Sequence, residues 1–66
     1  MQIFVNGEAM EVEEGTSLAA VIGLLKLTPE QCATAVNGQF VSRNERALRL
    51  LFTHDHIMTF EPITGG

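Results

Sequence analysis

The chain closes on "EPITGG", so two glycines follow directly on a segment with the composition of a β-strand. Glycine adds nothing to a core and loses the most backbone entropy when ordered, which makes it a poor way to finish a strand. The same residues suit a carrier of reactive chemistry. Gly65 and Gly66 have no Cβ, so such a tail can enter a channel that excludes ordinary side chains, and Gly66 presents a free carboxylate. An α-carboxylate, with a pKa of about 3.3–3.7, is ionised at neutral pH and is a poor electrophile. Chemistry at Gly66 therefore requires activation by a second protein. Extended, Thr64 to Gly66 reach about 10 Å from the body of the protein.

Other reactive residue types are few. His54-Asp55-His56 contains zinc-ligand chemistry. Along an extended segment, however, the two histidines share a side and Asp55 points away, with no third ligand nearby in sequence. A polar turn explains them without a metal, and none is expected. Cys32 is a nucleophile by type, yet it opens an apolar strand with no motif to lower its pKa, so it reads as core filler. There is no GxSxG, no CxxC and no phosphate-cradling glycine loop. The arginines of "RNERALR" read as solvating one side of a short helix.

Sixty-six residues make one domain, expected to span 1–66 with a flexible tail over 63–66. A chain this short buries only about 60% of its unfolded surface. It has little room to enclose a substrate, which argues against an enzyme acting alone. Hydrophobic residues at 45% and charged residues at 18% describe an ordinary soluble globule. Four basic residues against eight acidic ones leave a formal charge of −4. Four cations are too few to neutralise a run of phosphates, so nucleic acid is not an expected partner. One cysteine allows no internal disulfide and points to a reducing compartment. "MQIFVNGE" turns polar after five residues, so neither a signal peptide nor a membrane span is expected, and the cytoplasm is the expected location.

The elements that position the terminus follow from pattern. "MQIFV" reads as a strand and Asn6-Gly7 as a hairpin turn into "EAMEVE". Leu18, Val21, Ile22 and Leu25 fall on one helix face, with Ser17 or Thr16 as N-cap and Thr28-Pro29 as the stop. "CATAV" is a third strand, Asn37-Gly38 a second turn, and "QFV" the return. Ser42 and Glu45 have capping-box spacing, which starts a short helical turn. "IMTFE" is the last strand, and Pro62 ends its pairing. The fold class is α+β: a small mixed sheet with one main helix across a face.

Alternation then assigns an outer face. If Ile3 and Val5 face the helix, Phe4 faces away; if Ile57 faces in, Met58 and Phe60 face out. Ala33 and Ala35 join them if Cys32, Thr34 and Val36 face in. Phe4, Ala35, Met58 and Phe60 then form an exposed apolar patch of the kind that binds a partner. The alternative is a reversed register that buries the aromatics and exposes Ile57.

These motifs together, "VNGE", "EGTSLAAVIGLL", "AVNGQFVSR", the Asp55 turn and the terminal "GG", resemble the small sulfur carriers of the ubiquitin-like β-grasp fold. Length and spacing are most similar to the ThiS type, which serves thiamine biosynthesis. Three positions depart from that pattern: Ser42 where proline is common, His54 where glycine is usual, and Ala20 where an acidic residue often completes a capping box. The resemblance implies that Gly66 is adenylated and then converted to a thiocarboxylate, with Ile63, Thr64, Gly65 and Gly66 entering a partner's active site. It implies an E1-like, ThiF-type adenylyltransferase that uses ATP, a ThiG-type thiazole synthase that receives the sulfur, and a cysteine desulfurase as its indirect source. The carrier itself is expected to bind no cofactor and to catalyse nothing. A molybdopterin-type carrier, a ubiquitin-like modifier and a plain β-grasp interaction module remain as alternatives.

Overall fold

The computed structural model describes residues 1–61. Five strands form one sheet: β1 (Gln2–Val5), β2 (Glu8–Glu11), β3 (Ala33–Val36), β4 (Gln39–Val41) and β5 (His56–Phe60). Their order is β2-β1-β5-β3-β4, with β5 parallel to β1 and antiparallel to β3. Both Asn-Gly pairs make two-residue hairpins, pairing Val5 with Glu8 and Val36 with Gln39. Asn6, Gly7, Asn37 and Gly38 all have positive φ, between 50° and 87°. This is the type I′ geometry that asparagine and glycine tolerate and whose twist matches the strands. The expected α+β β-grasp arrangement is the one observed.

One helix, α1 (Leu18–Leu24), lies against the inner face. Its buried residues are Leu18, Val21 and Ile22, and Leu25 packs half-buried at its end. Across from them the sheet contributes Ile3, Val5, Val36, Val41 and Ile57, joined by Leu51. Ser17 is the N-cap, its hydroxyl oxygen accepting from the Ala20 N–H at 3.1 Å. No acidic side chain supports that turn. Instead the Leu18 and Ala19 N–H groups donate to the Arg49 and Arg46 carbonyls. The chain that crosses the helix start thus satisfies two of the first-turn N–H groups that no acid at Ala20 supports.

The helix stops earlier than Thr28-Pro29. Leu27 N–H donates to the Ile22 carbonyl and Lys26 N–H to the Gly23 carbonyl, a Schellman closure with Lys26 at φ 58°. Pro29 instead opens a 3-10 turn, Pro29–Gln31. A lysine in the left-handed region carries a Cβ–carbonyl clash that glycine lacks. Lys26→Gly is therefore expected to stabilise the fold by about 0.5–1 kcal/mol, read as a raised urea midpoint. A lowered midpoint would mean the closure is unstrained.

Arg46 is not a solvating residue. It is 4% exposed. Its Nε donates to Thr34 Oγ1 at 3.0 Å, Nη1 to the Pro29 carbonyl at 3.0 Å, and Nη2 to the Cys32 carbonyl. The guanidinium thereby ties the loop before β3 to the second 3-10 turn, Arg43–Glu45. At that turn the expected capping box takes another form: the Ser42 hydroxyl donates to the Glu45 carboxylate at 2.8 Å rather than accepting from the backbone. Arg46→Lys keeps the charge but cannot present the fork, so two buried acceptors lose their donor. A loss of about 1–3 kcal/mol in urea unfolding is expected, and no loss would show that water replaces the fork without cost.

Candidate functional site

β5 is the strand that leads to the Gly-Gly terminus, and it is gripped from both sides. Ala33 pairs with Phe60, Thr34 with Thr59, Ala35 with Met58 and Val36 with Ile57. On the other side Phe4 and Val5 pair with His56 and Ile57. The turn asparagines then continue the grip. Asn6 Oδ1 accepts from the Thr59 N–H at 3.0 Å, while its Nδ2 donates to Thr59 Oγ1 at 2.9 Å. Asn37 Oδ1 accepts from the His56 N–H at 2.9 Å, and its Nδ2 donates to Asp55 Oδ1 at 3.0 Å. Each asparagine is thus both a turn former and a clip on the final strand. Its side chain, fixed at the hairpin by the left-handed backbone, mimics a peptide group where the neighbouring strand has ended.

The turn before β5 is held by Asp55, which is buried. Its Oδ2 accepts from the Phe52 N–H at 2.9 Å, and Arg49 Nη2 lies 3.9 Å from it. His54 adopts φ 68°, the region that glycine occupies without strain. The turn is kept with histidine there, its N–H donating to the Gln2 carbonyl at 2.7 Å. Among the described residues no group of three His, Cys, Asp or Glu side chains is placed to hold a metal. The histidines instead flank Phe4: the His56 ring stacks on it at 4.8 Å and 20°, and His54 sits at 6.3 Å. Cys32 is buried just before β3, packed as the apolar reading expects.

The outer face has the expected register, since Ile57 is 1% exposed while Met58 is 47% and Phe60 52% exposed. Two of its members need correction. Ala35 lies on this face but is only 8% exposed, because its short side chain sits between Met58 on β5 and Phe40 on β4. Phe4 is half-buried beneath the two imidazoles. Sequence reasoning also missed Phe40, 72% exposed. Once Val41 is placed inward, alternation along "QFV" puts Phe40 outward beside Ala35, so the signal was present. On this face the exposed apolar residues are thus Phe40, Met58 and Phe60, with Phe4 as a covered margin. The tail residues Ile63, Thr64, Gly65 and Gly66, and Pro62 before them, lie outside the described residues.

No described helix is long and apolar enough to cross a membrane. The ThiS family model matches residues 3–66. The sulfur carrier protein ThiS of Escherichia coli is 32% identical over 66 residues, covering all of both chains. A crystal structure of the thiamine biosynthesis protein ThiS from Geobacter metallireducens superposes with a TM-score of 0.85 at 22% identity, again over the full length of both, and shows the shared fold. With the strand order, the clipped final strand and a match running through the two terminal glycines, the chain belongs to the ThiS family of small sulfur carrier proteins.

Proposed function

We propose that this protein carries sulfur for thiazole formation in thiamine biosynthesis, as a single domain over 1–66 whose tail, 63–66, delivers the Gly66 carboxyl to partner enzymes. The observation that supports the reading most is the placement of β5: the strand that continues into the Gly-Gly terminus is the central one, paired on both sides and clipped by Asn6 and Asn37. A reactive end must be presented to within about 1 Å of its attacking geometry. A rigid origin makes that possible with few residues. Beyond Glu61, five residues can span about 17 Å.

The chemistry belongs to the partners. A Gly66 carboxylate oxygen attacks the α-phosphorus of ATP in a ThiF-type adenylyltransferase, and pyrophosphate leaves. A persulfide sulfur, drawn from cysteine through a desulfurase, attacks the acyl carbon and displaces AMP, and a thiol then reduces the S–S bond of the acyl disulfide to release the thiocarboxylate. The resulting thiocarboxylate gives its sulfur to a ThiG-type thiazole synthase. The carrier supplies reach, a tail without Cβ atoms at its end, and a surface to hold. It needs no bound cofactor and acts as a co-substrate rather than a catalyst. Phe40, Met58 and Phe60, over the buried Ala35 and with Phe4 at the covered margin, form the docking face in this reading.

Incubation with ATP, sulfide and a purified ThiF-type adenylyltransferase should exchange one oxygen of the protein for sulfur, read by intact mass and located at Gly66 by peptide mapping. An unchanged mass under conditions where a ThiS control is converted would overturn the proposal. The docking face has its own test. Phe60→Asp is expected to raise KM for the adenylating enzyme roughly tenfold or more, because a half-exposed aromatic can anchor a partner. Its unfolding midpoint should move by no more than about 0.5 kcal/mol, as for other surface changes. Parallel losses of folding and binding would place Phe60 in the core instead.

A further inference from the structure

β5 outruns β1 at the end that continues toward Gly66. Their parallel pairing stops at Val5 with Ile57, where β1 turns into its hairpin. Up to that point the ladder is regular: the Phe4 N–H donates to the Asp55 carbonyl at 2.9 Å and the Asn6 N–H to the Ile57 carbonyl at 2.8 Å. The backbone groups of a strand face its two neighbours alternately, so residues 55, 57 and 59 present theirs toward β1, and Met58 and Phe60 toward β3. The next rung would join the Thr59 N–H to the backbone carbonyl of residue 6. Asn6 has instead turned to φ 50°, and its side-chain carbonyl takes that place, accepting from the Thr59 N–H at 3.0 Å. Its Nδ2 donates to Thr59 Oγ1 at 2.9 Å, so both ends of one amide engage Thr59.

The hairpin by itself does not ask for this side chain. Asparagine, aspartate and glycine all serve the first central position of a type I′ turn. Asn37 stands at the same position of the second hairpin, but its contacts are to Asp55 and His56, where β5 begins. Asn6 acts near the other end, through Thr59, one residue before the last of the strand. Without Asn6 that end of β5 is held from the β3 side alone, through the pairing of Ala33 with Phe60.

From this geometry we infer that Asn6 is a positioning residue for the carrier reaction: through Thr59 it fixes the direction in which the chain leaves the sheet, and with it where the Gly66 carboxyl arrives. The inference rests on the sulfur-carrier reading and adds a residue to it. A strand end bonded along one edge is free to swing about that edge, whereas one bonded along both keeps its direction. Swing at Thr59 is magnified over the reach to Gly66, where a misplacement of about 1 Å is enough to lose roughly a hundredfold in rate. Docking is a separate matter. Phe40 is on β4, and Phe60 keeps its pairing with Ala33, so loss of the Asn6 contacts leaves the grip on the partner in place. The expected signature is therefore in kcat and not in KM.

Asn6→Gly keeps the turn and deletes both contacts. In ATP–pyrophosphate exchange with a ThiF-type adenylyltransferase it should lower kcat roughly tenfold, while KM for the carrier stays within about twofold. Its urea midpoint should move by less than about 0.5 M, since both contacts are exposed. 15N relaxation should show the Thr59 and Phe60 amides leaving the rigid range, with order parameters falling from about 0.85 toward 0.6. Asn6→Asp should retain most of the rate, because a carboxylate accepts from the Thr59 N–H and, with the hydroxyl turned round, from Oγ1 as well. Asn37→Gly should lower kcat less than Asn6→Gly does. An unchanged kcat or unchanged order parameters in Asn6→Gly, or an equal fall in kcat for Asn6→Asp or Asn37→Gly, would overturn the inference and leave the carrier reading standing. A wild-type protein that supports no exchange beside a working ThiS control would overturn the carrier reading, and the inference with it.

Discussion

Removing Gly66, or adding one residue after it, is expected to abolish adenylation and thiocarboxylate formation while leaving the fold intact. Deleting Gly66 still leaves a carboxylate, but draws it back by about 3.5 Å. An aligned attack tolerates roughly 1 Å. Because Asn6 and Asn37 clip the strand that feeds the tail, β5 cannot be drawn out of the sheet to make up the distance without breaking four side-chain hydrogen bonds. An added residue pushes the carboxylate too far and puts a Cβ where the tail has none. Gly65→Val should be nearly as damaging, through bulk and restricted φ rather than through stability. ATP–pyrophosphate exchange with the adenylating partner reads the activity, and circular dichroism reads the fold. Exchange at the wild-type rate by the truncated or extended protein would mean that the terminal carboxylate is not the reacting group.

The strand pattern, both hairpins and the inward helix face were legible because each rests on a short-range rule. An Asn-Gly pair fixes its turn within two residues, and a 3.6-residue period needs only Leu18, Val21 and Ile22 to declare itself. What sequence reasoning missed is non-local. Arg46 looks like any arginine on a short polar helix, and only the arrival of Pro29, Cys32 and Thr34 beside it makes it a buried crosslink. The second role of Asn6 and Asn37 was hidden for the same reason, since their partner strand lies 53 and 19 residues away at the contacts concerned. The helix end was misplaced because proline is a conspicuous breaker, whereas a lysine that adopts a left-handed turn has no marked composition. Ala35 shows the limit of alternation: it gives the face of a residue, and the size of the neighbours decides exposure.

Ile22→Ala should be the most damaging single change to the fold. Ile22 is 1% exposed and lies mid-helix, among the buried residues of α1. Truncating a buried isoleucine removes its transfer free energy and leaves a cavity, together about 2–5 kcal/mol. Alanine's better helix propensity returns only a few tenths of a kcal/mol. Small domains draw on a total stability near the low end of about 5–15 kcal/mol, so the loss is comparable with the whole margin. Leu24→Ala serves as the matched control, one helix position type away but 61% exposed, with an expected change within about 0.5 kcal/mol. Urea unfolding followed by far-UV circular dichroism gives both numbers. Similar midpoints for the two variants would mean the helix does not bury the face assigned to it. If the Ile22 variant alone collapses, loss of adenylation should follow its unfolded fraction, because a tail without a clipped strand behind it has no fixed origin from which to reach.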